Sequence, residues 1–499
     1  MGHRVGETER KYEAAAGTEV PRPVLAGLPD VAGTRALDPV ELDAVYYDTA
    51  GLALAAHRIT LRRRTGGDDA GWHLKLPTSE ADTRIEVRAP LGPDDDRQPP
   101  DDLRAETAAL TRGRPLHPVV RLRTVRRRVL LLDRRDRTLA EIAHDTVTAE
   151  TPDGAPTTWS ETEVELHHGG PDLLDAVEER LGAAGLHRSA SPSKLARALG
   201  GGVLTPPPAA PDLPATAGRT ATAYLREQLT AILALDPAVR RDEEDAVHRM
   251  RVATRRARST FKSFRKELDR AATDPLGDEL KWLAAVLGTA RDREVLTERL
   301  SRRLDELDPA LVDGTLRHRL LHREPGDGNG SGAPPELDGA RYFAVLDALE
   351  ALLAAPPYTP AADAPAAEAA ESTLRRDHAR LRRRIEAAMA LPAGHDRDVA
   401  LHEARKDAKR ARYSSEAAQP VLGRPAAAHA SRMKGVQQLL GEHQDSVMCR
   451  GVLSGLRERA VRAGEDPAPY DAVDRREREI AAEVEADLPG AWHEADRPV

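Results

Sequence analysis

A single cysteine, Cys449, stands among 499 residues. It excludes an internal disulfide framework and any zinc site built on clustered thiolates. Aromatic side chains make up 3% of the chain, too few to build stacking platforms for single-stranded nucleic acid. No stretch approaches the roughly 18 consecutive apolar residues of a membrane span. The opening residues, MGHRVGETERKYE, are charged and hold no apolar core of the secretory type. These absences point to a cytoplasmic protein with no membrane partner. Lysine is scarce too, at nine positions out of 74 basic residues. Where it does occur, a compact charge with rotatable donors stands in place of arginine's planar fork. The net charge of −8 argues against a nucleic-acid partner, and no reader motif is present.

What is present divides in two. Residues 1–200 read mainly as strands, with alternating runs at 58–64, 72–76, 83–88, 119–132, 138–147 and 159–166. Helical patches interrupt them near 101–113 and 171–184. Residues 201–218, GGVLTPPPAAPDLPATAG, have the composition of an extended linker. Beyond it the pattern turns to long helical periodicity rich in Ala, Leu, Arg and Glu, over 219–490. Breaks at 323–335 and 355–365 cut this half into sub-bundles of about 219–322 and 336–490, the first break reading as a disordered loop. The expected fold class is therefore α+β: a strand-built domain followed by an all-α domain.

In a strand, residues i, i+2 and i+4 share a face. Glu7, Glu9 and Lys11 lie together by that rule, as do Arg62 with Arg64, and His73 with Lys75. Arg84, Glu86 and Arg88 oppose Ile85 and Val87; Glu141 sides with Asp145; Glu161, Glu163 and Glu165 form a triple-acid face. A solvated sheet face explains one such strand. Six together ask for more. Triple-acid faces need a cation, and basic faces need an anion. Carboxylates for hard divalent ions beside Arg and Lys for phosphate oxygens suit a metal–polyphosphate substrate. A closed barrel would gather these faces in one lumen.

The segment ETERKYE resembles the ExExK signature of the CYTH superfamily, the triphosphate tunnel metalloenzymes. LRRR, HLKLP, TRIEV, TVRRRV, LAEIAHD, ETEVEL and SPSK follow in that family's order, over residues 3–200. The resemblance implies an eight-stranded antiparallel tunnel that binds triphosphate through Mg²⁺ or Mn²⁺. By the same resemblance, Glu7, Glu9, Asp145, Glu161 and Glu163 are the metal-side carboxylates. Lys11, Arg62, Arg64, Lys75, Arg84, Arg126 and Lys194 are expected around the triphosphate, with Glu86 as an inward acid. Within 121–128 the crowd of arginines leaves the strand register open. The expected chemistry is metal-assisted hydrolysis, with water attacking the terminal phosphorus in line while Arg and Lys neutralise the leaving pyrophosphate.

The helical half repeats itself. His248-Arg-Met-Arg251-Val-Ala-Thr-Arg255-Arg256-Ala-Arg258 reappears as His402-Glu-Ala-Arg405-Lys-Asp-Ala-Lys409-Arg410-Ala-Arg412. Each block is followed by a Leu-Gly pair, Leu287-Gly288-x-x-Arg291-Asp292 and Leu440-Gly441-x-x-Gln444-Asp445, at nearly the same offset. At about 100° per residue, His248, Arg251, Arg255, Arg258 and Lys262 fall on one stripe, continued by Lys266. No acid interrupts 248–266. His402, Arg405, Lys409 and Arg412 repeat its start, and Arg376, Arg380, Arg383 and Arg384 make a further basic row. This paired pattern resembles the CHAD domain, the conserved-histidine α-helical domain. That likeness implies two pseudo-symmetric four-helix bundles with a basic groove for long-chain inorganic polyphosphate.

The combined expectation is a triphosphatase tunnel, with inorganic triphosphate as the leading substrate, joined to a polyphosphate-binding domain. Location is expected to be cytoplasmic, with association to polyphosphate granules. Two rivals accompany it: a class IV-type adenylyl cyclase acting on ATP, and a non-catalytic polyphosphate-binding protein.

Overall fold

The computed structural model describes residues 3–14, 25, 27–78, 80, 82–92, 98–152, 154–200, 215–307, 312, 316–317 and 334–497, excepting the side chains of 289–294. Contacts divide the chain into two units, Met1–Ala209 and Ala210–Val499.

The first unit is built on β1 (His3–Ala14), β2 (Gly33–Ala36), β3 (Val40–Asp48), β4 (Thr60–Thr65), β5 (Gly71–Pro77), β6 (Thr83–Ala89), β7 (His117–Leu132), β8 (Thr138–Glu150), β9 (Thr157–Leu166) and β10 (Leu186–Arg188). Neighbours run β1-β6-β5-β4-β3-β7-β8-β9, and β9 pairs back to β1, closing an antiparallel barrel of eight strands. Short β2 and β10 extend β7 and β1. Closure satisfies every edge and gives each strand an inner and an outer face.

The outer face is covered where it is apolar. Helix α3 (Pro171–Ala183) buries Leu173, Leu174, Val177 and Leu181 against Leu131, Ile142 and Val164. Two further helices, α1 (Ala53–Ala56) and α2 (Asp101–Thr111), lie between strands in sequence. In α4 (Lys194–Ala198), the Ser193 hydroxyl accepts from Ala196 N–H at 3.0 Å and caps the helix. This fixes Lys194 at the first helical position, while Leu195 packs among Ala44, Tyr46, Leu122 and Val147.

The second unit is helical: α5 (Ala217–Arg240), α6 (Ala246–Ser263), α7 (Arg270–Val286), α8 (Gly288–Glu306), α9 (Ala340–Ala354), α10 (Ala366–Ala390), α11 (His395–Leu422), α12 (Arg424–Arg462) and α13 (Ala468–Ala495). One core joins Leu381 and Ile385 of α10, Leu401 of α11, Met433 and Leu440 of α12, and Leu488 of α13. Ala404, Ala408 and Ala411 of α11 are fully buried in it, small enough to let neighbouring helices approach closely. A second core brings Leu300 and Leu304 of α8 against Leu453 of α12 and Val473 of α13, enclosing Cys449. Lys266 falls beyond the end of α6 at Ser263, so the basic stripe is shorter than its sequence run. Most of the expected loop at 323–335 lies outside the described residues.

Candidate functional site

Register determines what the barrel encloses. Opposed residues of an antiparallel pair share a face. Lys11 opposes Glu163, Glu9 opposes Glu165, and Glu165 opposes Glu141. Asp145 lies between Glu161 on β9 and Arg126 on β7. Arg62 opposes Tyr46 and His73, while Lys75 opposes Glu86, and Arg84 opposes Glu7. The expected strand residues named here thus share the inner face, and Lys194 reaches the same carboxylates from α4. The pairing with β8 also resolves β7: Arg126 points inward, whereas Arg121 and Arg123 bond to Asp43 and Glu150 on the exposed side.

The lumen is a web of opposite charges. Lys194 Nζ lies 3.0 Å from Asp145, 2.8 Å from Glu161 and 2.7 Å from Glu163. Arg126 binds Asp145 through two nitrogens, at 2.8 and 2.7 Å, and Glu163 at 2.7 Å. Lys11 reaches Glu163 at 3.1 Å, and Lys75 reaches Glu7 at 2.6 Å. Arg62 donates to the Tyr46 hydroxyl at 3.3 Å and stands 3.9 Å from Glu86. Arg64 is held by Asp69 in the β4–β5 loop, and Arg84 donates to the Pro192 carbonyl at 2.6 Å.

Burial works against ionised carboxyls, but the cations prevail at Glu9, Glu86, Asp145 and Glu163. Burial raises Glu9, yet Lys11 and Lys75 outweigh it and hold it down to about 2. Glu163 is kept well below the usual range against burial by Lys194, Lys11 and Arg126. Glu165 goes the other way. Burial, reinforced by Glu7, Glu9 and Glu163 and only partly offset by Lys75, pushes it up to about 7.

Inward groups left out of the expected site include Glu165, Arg88 and His73. Glu165 ends the same E-x-E-x-E alternation that supplied its neighbours. Arg88, two residues from Glu86, bonds Glu7 at 2.9 Å as well as Glu86. His73 is 1% exposed and bridges Glu86 at 3.0 Å to the Asp69 carbonyl at 2.9 Å, linking two parts of the wall.

Oxygens of Asp145, Glu161 and Glu163 approach within 4.8 Å of one another. All the donors are carboxylates, the set that hard divalent cations prefer. The Lys194 ammonium touches all three, so the cluster already demands a cation. The residues present therefore fit Mg²⁺ or Mn²⁺.

The helical unit gathers a different set. Burial, then Arg405, Arg255 and Arg251, drive Lys409 down to about 7, with Asp445 opposing. Both repeats thus contribute cations to one neighbourhood. The recurring Leu-Gly pairs have a steric reason. A Cβ on Gly288 would stand 2.7 Å from the Arg251 guanidinium, and one on Gly441 would stand 3.4 Å from that of Arg405. The glycine of each repeat thus makes room for the arginine three residues after its histidine. His402 bonds Gln444, and Arg405 lies 3.9 Å from Asp445, so both motif blocks of the second repeat meet. The first repeat's Arg291 and Asp292 lie outside the described side chains.

His248 is exposed at the start of α6. Arg258 and Lys262 form a separate basic group with Arg380, Lys406 and Arg410, whose charges depress Lys262 beyond the effect of burial. Arg412 is turned elsewhere: it binds Glu416 at 2.8 Å, and Glu416 also holds Arg256 and Tyr224. Among the described residues, no helix is long and apolar enough to cross a membrane.

A closed antiparallel barrel with a lumen of paired charges, followed by a duplicated helical unit with a cationic cluster, is a two-domain architecture that known families share. The CYTH domain model matches residues 6–199 and the CHAD domain model residues 223–454. Two uncharacterized proteins of Mycobacterium tuberculosis, from strains CDC 1551 and H37Rv, are each 37% identical over 99% of this chain and 97% of their own length. The chain belongs to the family of CYTH–CHAD fusion proteins. Among solved structures, PptA from Streptomyces chartreusis aligns over 56% of this chain and 99% of its own, at 24% identity and a TM-score of 0.43. The CHAD domain of Ricinus communis aligns over 58% of this chain and 96% of its own, at 23% identity and a TM-score of 0.43. A putative adenylyl cyclase from Hippeastrum, described as having a dominant triphosphatase activity, covers 39% of this chain and 96% of its own, at 17% identity and a TM-score of 0.24. Enzymes of the CYTH superfamily are triphosphatases or cyclases and depend on divalent metal.

Proposed function

We propose that the barrel hydrolyses a triphosphate, with inorganic triphosphate as its substrate, and that the helical unit binds inorganic polyphosphate. The observation that carries the first part is the contact of Lys194 with Asp145, Glu161 and Glu163. A buried three-carboxylate cluster facing guanidinium and ammonium groups on the same lumen is equipped for a cation and a polyanion together. A pure anion binder gains nothing from inward acids.

In this reading Glu7, Glu9, Asp145, Glu161 and Glu163 hold Mg²⁺ or Mn²⁺, and Glu165 joins them. The metal, when bound, polarises phosphate oxygens and lowers the pKa of a coordinated water. Lys11, Arg62, Arg64, Lys75, Arg84, Arg126 and Lys194 take the non-bridging oxygens and neutralise charge as it develops on the leaving group. Glu86 orients Arg62 and Arg88.

For the helical unit, support comes from the cations around Lys409. Such a cluster favours an added anion. A linear polyanion would contact His248, Arg251, Arg255, His402, Arg405 and Lys409, with Arg258 and Lys262 extending the track. Arg412, held by Glu416, serves the cluster's framework in this reading.

The test is product analysis with triphosphate, ATP, thiamine triphosphate and long-chain polyphosphate, each with Mg²⁺, Mn²⁺ or neither. Metal-dependent phosphate release, fastest from inorganic triphosphate, is expected. Cyclic AMP from ATP would select the cyclase instead. Binding of every substrate without turnover would leave a polyphosphate-binding protein.

A further inference from the structure

A third cluster of ligand-type side chains lies outside both sites. His443 of α12 is 1% exposed. Its Nε2 stands 3.4 Å from Asp398 Oδ1, in the first turn of α11, and 3.3 Å from Glu485 Oε1 on α13. The three ligand atoms fall within 4.8 Å of one another.

We propose that Asp398, His443 and Glu485 bind a divalent metal of the zinc class, with water completing a four-coordinate site. The distances carry the argument. Among the described residues, other histidine–carboxylate hydrogen bonds are shorter: 3.0 Å from His73 to Glu86 and 2.7 Å from His378 to Asp496. At His443, two carboxylate oxygens sit at nearly equal, longer separations from one nitrogen. A single N–H cannot point at both. Ligands bound at about 2.0–2.1 Å to one tetrahedral ion are themselves roughly 3.3–3.4 Å apart.

The surroundings fit as well. Arg397 Nη1 holds the other oxygen, Glu485 Oε2, at 2.5 Å, and Arg397 Nε donates to the Leu391 carbonyl at 2.8 Å. This outer contact orients Glu485 and leaves Oε1 toward the imidazole, as partners of metal ligands do. The imidazole nitrogen favours zinc-class ions over Mg²⁺, in contrast to the all-oxygen lumen. The ligands come from three successive helices, and Asp398 lies one turn before His402. A bound ion would pin the start of the helix that carries Arg405 and Lys409.

The test uses the full chain, dialysed against Zn²⁺ in saturating Mg²⁺ and analysed by inductively coupled plasma mass spectrometry. One equivalent of zinc is expected. His443→Asn and Glu485→Gln should lose it, while a Glu161→Gln/Glu163→Gln variant should keep it. With Co²⁺ in place of zinc, the unaltered protein should show the intense visible bands of a four-coordinate ion. Equal zinc in the unaltered protein and the His443→Asn variant would overturn the proposal. So would a Co²⁺ spectrum identical to that of the hexa-aquo ion, the outcome expected if His443 is an imidazolium paired with two acids. The Co²⁺ measurement decides the matter even if His443→Asn fails to fold.

Discussion

The two units handle cations in opposite ways. In the barrel, each inward lysine meets a carboxylate: Lys11 with Glu163 at 3.1 Å, Lys75 with Glu7 at 2.6 Å and Lys194 with Glu163 at 2.7 Å. In the helical unit, Lys409 is driven down by burial and then by three arginines, with Asp445 opposing. A lumen neutralised from within can exchange its internal pairs for a metal on the acids and an anion on the bases. A cluster in which cations crowd one lysine gains further stabilisation from an added anion. The first arrangement suits metal-dependent chemistry, and the second suits metal-independent capture.

The largest way to break this contrast is at Glu163, which Lys11, Arg126 and Lys194 all touch. Glu163→Gln keeps the volume and removes the charge. Triphosphate turnover should fall by about 10²–10³-fold, the scale of losing a preorganised electrostatic group. Polyphosphate binding, read by filter retention without metal, should not change. Full hydrolytic activity would end the metal assignment.

In the helical unit the matching experiment is charge reversal. Arg255→Glu with Lys409→Glu should weaken polyphosphate binding by about a hundredfold or more, from two lost charge-assisted hydrogen bonds of about 1.5–3 kcal/mol each. The salt dependence should flatten as well. Arg256→Glu and Arg410→Glu should act differently, because these residues already bind Glu416 at 2.9 Å and Asp377 at 3.2 Å. Their reversal should lower the thermal midpoint, at a cost of about 1–3 kcal/mol, with little change in affinity. Equal affinity losses at both pairs would mean diffuse attraction.

The sequence carried this contrast unevenly. Charged alternation exposed most barrel strands because an inward charged face against an outward apolar one leaves a period of two. It passed over β3, where the order is reversed: Glu41 and Asp43 face outward and Leu42, Ala44 and Tyr46 face inward. On β7 the arginines occupy both parities; the family resemblance named Arg126, and its cross-strand partner Asp145 supplies the register the sequence left open. On α11 the helical angle placed Arg412 with the stripe, but Glu416 four residues later captures it, a local i,i+4 pair that competes with the groove. The Asp398–His443–Glu485 cluster was out of reach because its members meet only when three helices pack.

A subtler contrast is in pH. Glu165 titrates near 7 in the lumen, and a metal competes with its proton. Metal affinity should therefore rise with pH through about 7 and level off above it. Lys409 also titrates near 7, but a bound polyanion stabilises its charged form. Polyphosphate affinity should be full below about 7 and fall as pH rises, by at most about one log unit per pH unit for a single group. Glu165→Gln and Lys409→Arg should each flatten their own profile. Calorimetry in buffers of different ionisation heat would read proton release in the first case and uptake in the second. Slopes of the same sign would break the comparison.

The smallest effect expected is at the two glycines, and it separates binding from stability. Gly441 lies inside α12, where alanine is favoured over glycine by about 0.8–1.0 kcal/mol. Its added Cβ would sit 3.4 Å from the Arg405 guanidinium, close but tolerable. Gly441→Ala should therefore raise the thermal midpoint and leave affinity nearly unchanged. At Gly288 the Cβ would sit 2.7 Å from the Arg251 guanidinium, so the arginine must move. That group is the far end of a flexible side chain, so the fold pays little, but Arg251 leaves the position it shares with Lys409. Gly288→Ala should weaken polyphosphate binding several-fold, consistent with about 1 kcal/mol for one weakened contact, with no loss of thermal stability. A drop in midpoint without a drop in affinity would show that the glycine serves helix packing, and that Arg251 plays no part in holding the anion.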